Sequence, residues 1–164
     1  MHDKFLDLAT HPFKMRAFML RKLPSAFFSG VQLRYIDSEK AIVTVPYRWF
    51  STNPFKSTYF ACLSMAAEMS TGILAMGHTY KKNPKVSLLV TRIEGNFLKK
   101  AKGIATFTCD EGHRIALMVK ETLMTGKPTS LTVRSVGVDK YDDIVAEFNI
   151  TWSFKSKIVP PKDW

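Results

Sequence analysis

Glu68 is the residue of this chain best placed by type and setting to do chemistry, and it falls in the stretch NPFKSTYFACLSMAAEMSTGILAMG over residues 53–77. Glu68 is the lone charged side chain between Lys56 and Lys81. A carboxylate can attack a carbonyl carbon or take a proton from water when its pKa and reach suit. An isolated buried charge is costly, so such a group finds partners or changes its pKa. The plainer reading is a solvated surface acid. Exposed helix faces, however, usually carry several charges with i, i+4 partners, and this one has none.

The element that must position Glu68 is one helix. Asn53-Pro54 signals a turn, Ser57 offers an oxygen to the free amides of a first turn, and Gly77 is a stop. At 100° per residue, Phe60, Leu63, Ala67 and Leu74 share a face, and Cys62, Met65, Met69, Ile73 and Met76 share another. Two apolar faces predict burial on both sides. Between them runs a stripe of Ala61, Ser64, Glu68, Thr71, Gly72 and Ala75, small except for Glu68.

The rest of the chain reads as one domain over residues 1–164, with a core near 30–155. An amphipathic basic helix is expected over Phe13–Leu23, ended by Leu23-Pro24, and the residues before it, with His2 and His11, read as a tail. Period-two alternation predicts a hairpin, Val31–Ile36 with Ala41–Pro46. Val86–Leu98 reads as a long strand paired with Gly103–Cys109 through a turn at Lys99–Lys102. A short helix follows over His113–Thr125, then a last pair, Lys127–Val138 with Ile144–Lys155. Pro160–Trp164 reads as a loose end. Six strands and one central helix make an α+β layout, a curved antiparallel sheet wrapped around a helix.

Composition narrows the function classes. Hydrophobic residues at 46% and charged residues at 23% are those of a globular domain. Cys62 and Cys109 lack metal-ligand spacing and read as reduced core thiols, which fits the cytoplasm. The amino terminus lacks an apolar signal core with a small-residue cleavage site. The one long apolar run carries Glu68 at its middle, at a cost of about 2.5–3.5 kcal/mol in a bilayer, so no transmembrane segment is expected. A net charge of +10 favours anionic partners, but its short basic clusters match no nucleic-acid motif. His2, His11, His78 and His113 read as structural or exposed.

The order of elements and the run from Asn53 to Glu68 resemble the hotdog fold, and within it the PaaI-like and DUF4442 group of thioesterase-related proteins. The resemblance covers about Gly30–Lys155. It implies a homodimer or dimer of dimers with ligand tunnels at the subunit interface, an acyl-CoA or acyl-carrier thioester as ligand, and no cofactor beyond the CoA of the substrate itself. In PaaI-like enzymes an Asn before the helix, a His-Gly-Gly at its start and an acid near its middle serve the thioester. Asn53 and Glu68 match the first and last, whereas Tyr59-Phe60-Ala61 replaces the His-Gly-Gly. Backbone amides at Tyr59, Phe60 and Ala61 would still face a developing oxyanion, and Ser64 lies one turn on. The aromatic rings add bulk where glycine would admit a pantetheine arm. The MaoC-like hydratases carry an acid and a histidine where this chain has Ser51 and Lys56, so hydration is not expected.

Three readings follow: an acyl thioesterase using Glu68 and Asn53, with Tyr59, Phe60, Ala61 and Ser64 around the substrate; a non-catalytic acyl-ligand binder; and an anionic-surface or nucleic-acid binder. Trp49, Phe50, Phe55 and Tyr59 would bound an acyl pocket in the first two.

Overall fold

The computed structural model describes residues 1–157; the expected loose end at 160–164 lies outside them. The central element is α4, Phe60–Thr79, twenty residues long. Before it come α1 (Asp3–Thr10), α2 (Pro12–Lys22), α3 (Pro24–Phe28), β1 (Gln32–Ile36) and β2 (Ala41–Val45), with a single 3-10 turn at Trp49–Ser51. After it come β3 (Val86–Phe97), β4 (Ala105–Cys109), α5 (Gly112–Thr125), β5 (Thr129–Val138) and β6 (Ile144–Ser156). The six strands form one antiparallel sheet in the order β1-β2-β4-β5-β6-β3. This sheet curled around one helix is the hotdog fold.

Alternation in β6 shows why the sheet holds the helix. Ala146, Phe148, Ile150, Trp152 and Phe154 are all buried. Opposite them α4 presents Ala66, Ala67, Leu74 and Ala75, each fully buried; their small size lets the sheet approach closely. Fully burying a side chain such as Phe148 or Ile150 contributes roughly 1.5–3 kcal/mol. Elsewhere α4 is covered by α5, by α3 and, around Glu68, by Met15 and Phe18 of α2, which explains its two apolar faces. By length and composition α4 could cross a membrane, yet 67% of its most apolar window is buried as the core of the sheet.

Several sequence expectations change. The long strand Val86–Phe97 does not pair with β4: it pairs along its length with β6, and β4 lies between β2 and β5. Residues 98–104 cross the amino-terminal end of α4 instead of turning back, and Thr58 N donates to Ala101 O at 2.8 Å on the way. Neighbours in sequence are often, not always, neighbours in a sheet. The tail before Pro12 is the helix α1, anchored by buried Phe5, whose ring lies 5.4 Å from Tyr80. Ser57 does not cap α4; the helix begins at Phe60 behind Tyr59, with no side-chain cap. It also runs two residues past Gly77, placing His78 in its last turn, where Nε2 sits 2.8 Å from Ser38 O. The helix α3, directly after the expected stop at Leu23-Pro24, is also new, whereas the β1–β2 and β5–β6 pairs follow the expected pattern.

Candidate functional site

Asn53 sits in the loop before α4 with its side chain fully engaged. Its Oδ1 accepts from Phe55 N at 2.9 Å and Ser57 N at 3.2 Å, and its Nδ2 donates to Ser57 Oγ at 3.2 Å and Thr58 O at 3.4 Å. The loop thus shapes one wall of a cavity of about 530 Å³ at the amino end of α4. Phe55, Tyr59, Phe60, Leu63, Phe97 and Leu98 give it an apolar lining, with Lys99 and Lys100 at its border. Phe60 meets Phe97 edge-on at 6.1 Å.

At that helix end, Tyr59 N is already used by Ser51 O at 2.7 Å, and Cys62 N by Tyr59 O at 2.9 Å. Among the described residues, the amides of Phe60 and Ala61 have no acceptor. They are two fixed donors carrying the positive end of a twenty-residue helix. Ser64 turns inward on its own helix, donating to Phe60 O at 3.0 Å.

Glu68 lies elsewhere. It lines a separate apolar chamber of about 190 Å³ with Met15, Phe18 and Leu23 from the amino-terminal helices and Leu88 and Trp152 from the sheet. No hydrogen-bond donor among the described residues reaches its carboxylate, and burial pushes its pKa above the ordinary 4.5. A proton is therefore held more tightly here than on a free glutamate, a setting suited to acid and base work nearer neutral pH. The floor is fixed: Trp152 Nε1 donates to Thr71 Oγ1 at 2.9 Å, and Thr71 Oγ1 donates to Glu68 O at 3.0 Å. Gly72 leaves the room, since a Cβ there would stand 3.0 Å from both Glu68 Oε1 and Trp152 Cζ2.

The structure brings Asn53, Tyr59 and Phe60 to the first cavity and sets Glu68 apart in the second. Eight residues separate Phe60 from Glu68, about 12 Å along the helix axis. Of the four aromatic residues expected at the entrance, Phe55 and Tyr59 line the first cavity, whereas Phe50 stacks on Phe28 at 5.8 Å. Sequence reasoning missed Trp152, Phe97 and the lid residues Met15, Phe18 and Leu23. Their strand and helix patterns marked them as apolar but carried no sign of what they would meet. Cys62 and Cys109 are free and buried, and burial pushes the Cys109 thiol up to about 12.

The fold around these two chambers is that of a hotdog protein. The chain belongs to the DUF4442 family, a domain of unknown function, matched over residues 14–154. No curated protein matches it. Among solved structures it is similar to PA5026 of Pseudomonas aeruginosa, a protein of unknown function described as a probable thioesterase. The TM-score is 0.74 at 18% identity, covering 88% of this chain and 96% of that one. It is also similar to thioesterase HI1161 of Haemophilus influenzae, with a TM-score of 0.65 at 10% identity over 92% and 94% of the two chains. Thioesterase PA1618 of Pseudomonas aeruginosa, solved as a mutant, gives a TM-score of 0.65 at 9% identity over 90% and 96%.

Proposed function

We propose that this protein hydrolyses acyl thioesters, of CoA or of a carrier protein, at a site that two copies of the chain build together. The observation that carries this reading is the separation of Glu68 from its own helix terminus. A nucleophile or its water must come within about 3–3.5 Å of the carbonyl carbon while the oxyanion meets its donors. A gap of about 12 Å along α4 forbids that within one chain.

The edge strand supplies the missing half. Cross-strand partners share a face, so the registers Leu88–Phe154, Val90–Trp152, Ile93–Ile150 and Phe97–Ala146 put Leu88, Val90, Ile93 and Phe97 on the helix side of the sheet. Ile93 and Phe97 are nonetheless about half exposed, because α4 covers β3 only in part. A twelve-residue edge with uncovered apolar side chains is a template for pairing. A two-fold axis perpendicular to the sheet pairs β3 antiparallel with its copy. The Leu88 end, beside the Glu68 chamber, then meets the Phe97 end of the partner, beside the helix terminus.

In this arrangement the amides of Phe60 and Ala61 in one protomer hold the thioester oxygen. Glu68 of the other takes a proton from a water that adds to the carbonyl carbon and returns it to the departing sulfur as the C–S bond breaks; if the carboxylate adds instead, the thiolate departs, and water hydrolyses the resulting acyl anhydride, giving the acid, restoring Glu68 and supplying the thiol's proton. Asn53 acts by holding the loop that shapes the acyl pocket. The substrate brings its own CoA or pantetheine arm, and the chemistry calls for no further cofactor. Two buried free thiols fit a reducing compartment such as the cytoplasm.

Complementation tests the shared site. Tyr59 has an extended backbone, ψ 134°, which accommodates Phe60→Pro and removes that N–H; Phe60→Ala retains it. Glu68→Gln and Phe60→Pro homodimers should each lose thiol release from acyl-CoA. Mixed and re-associated, they should recover about one quarter of wild-type activity, since half the dimers are hybrid and each hybrid has one intact site. No recovery, with hybrids demonstrated by mass, overturns the shared site.

A non-catalytic acyl-ligand binder is the second reading, favoured by the Tyr59 and Phe60 rings, 4.8 Å apart, at the mouth where glycines would leave space. Stoichiometric acyl-CoA binding without thiol release would select it.

A further inference from the structure

We infer that the face built by α2, α3 and the Arg48–Ser51 turn docks on an anionic lipid bilayer. Trp49 is 82% exposed, and Phe50 and Phe28 are each more than half exposed. These three rings form one cluster: Trp49 meets Phe50 edge-on at 4.9 Å, and Phe50 stacks on Phe28 at 5.8 Å. Three contiguous aromatic rings held in water are a standing cost that a lone exposed apolar residue does not impose. The fold does not bury them against its own core, although α2 and α3 bury Met15, Met19 and Ala26 on their inner side.

Charge selects the occupant. The chain has no acidic residue between Asp7 and Asp37, nor between Glu39 and Glu68, the two stretches that supply α2, α3 and the turn. Arg48 adjoins Trp49, and Arg21 and Lys22 end α2 one five-residue helix before Phe28. All three cations are exposed, and none forms an ion pair among the described residues. Tryptophan sits well at the headgroup level, where its ring is apolar and its N–H stays wet. Cations beside it gain from the negative potential of an anionic leaflet. A second copy of this chain would set the same cations against one another. The inference is independent of thioester hydrolysis.

The test uses the full chain and two vesicle compositions, phosphatidylcholine alone and an equimolar mixture with phosphatidylglycerol, read by co-sedimentation. Wild type should bind the mixed vesicles, weakly or not at all the neutral ones, with binding that falls as salt rises. Arg21→Gln/Lys22→Gln/Arg48→Gln should lose roughly fivefold per cation, on the order of a hundredfold together. The control Lys120→Gln/Lys127→Gln/Lys155→Gln, with the same change in net charge on other surfaces, should lose much less. Trp49→Ala/Phe50→Ala should lose at least tenfold while keeping its circular dichroism and melting temperature, because both side chains are exposed. Equal losses in the two charge triples overturn the proposal, as does failure of wild type to bind the mixed vesicles. So does a wild-type dimer that Trp49→Ala/Phe50→Ala turns into monomer, which would assign the face to self-association.

Discussion

Glu68 Oε1 and the α-carbon of Gly72, one helical turn apart, stand so close that a methyl group on Gly72 would sit 3.0 Å from that oxygen. The same methyl would sit 3.0 Å from the Trp152 ring, which is pinned through its Nε1 to Thr71. The ring cannot yield, so the carboxylate must. Gly72→Ala should therefore move Glu68 off its position and cut acyl-CoA hydrolysis at least tenfold in kcat. Stability should fall by about 0–2 kcal/mol, since alanine gains about 1 kcal/mol in helix propensity and crowding costs about 1–3 kcal/mol. Steady-state kinetics and thermal melts on the same sample check both halves.

Glu68→Gln should lower kcat by roughly 10²–10⁴-fold, the usual contribution of a positioned acid or base. It should also alter stability against pH. Burial raises the folded-state pKa, so between the unfolded and folded values the folded chain holds a proton that the unfolded chain has released. Wild-type stability consequently falls as pH rises through that interval, and glutamine removes the fall. The variant should match wild type in acid and melt higher at neutral pH. Paired melts across that range would detect it. Wild-type kcat should rise with pH over the same interval, with an apparent pKa above 4.5.

Ile93→Lys places a charge on the helix-facing side of the β3 edge, at a side chain that its own chain leaves half exposed. The variant should remain folded but run as a monomer in size-exclusion chromatography with light scattering, and lose at least a hundredfold in activity. A folded, dimeric and active Ile93→Lys would remove β3 from the interface.

Ser70 Oγ and Ser135 Oγ form a fully buried pair at 2.7 Å linking α4 to β5. Ser135→Ala should cost little, since Ser70 keeps its bond to Ala67 O at 2.8 Å. Ser70→Ala should cost about 1–3 kcal/mol by stranding the Ser135 hydroxyl. That is roughly 2–4 °C of melting temperature per kcal/mol in a chain of this size. The double variant should melt above Ser70→Ala; urea melts of all four proteins give the coupling.

Local periodicity carried much of the fold into view. The long apolar helix around Glu68, the β1–β2 hairpin and the alternation of β6 each follow from residues within a few positions of one another. The lone acid was visible for the same reason. Asn53 shows where that legibility stops: its match to a motif says nothing of the hydrogen bonds to Phe55, Ser57 and Thr58 that occupy its amide within the loop.

The amino-acid order by itself determined the six strands, the helices α2, α4 and α5, and that one carboxyl lies among apolar faces; α1 and α3 it did not show. Tertiary structure alone decided that β3 pairs with β6 and lies open at the edge, that Met15, Phe18 and Leu23 roof Glu68, and that the carboxyl and the helix terminus occupy different chambers. The reason is physical: side-chain pattern within a window sets burial and backbone period, whereas strand partners and chamber walls come from residues as far apart as Met15 and Trp152. Their meeting is fixed by how the whole sheet closes around one helix.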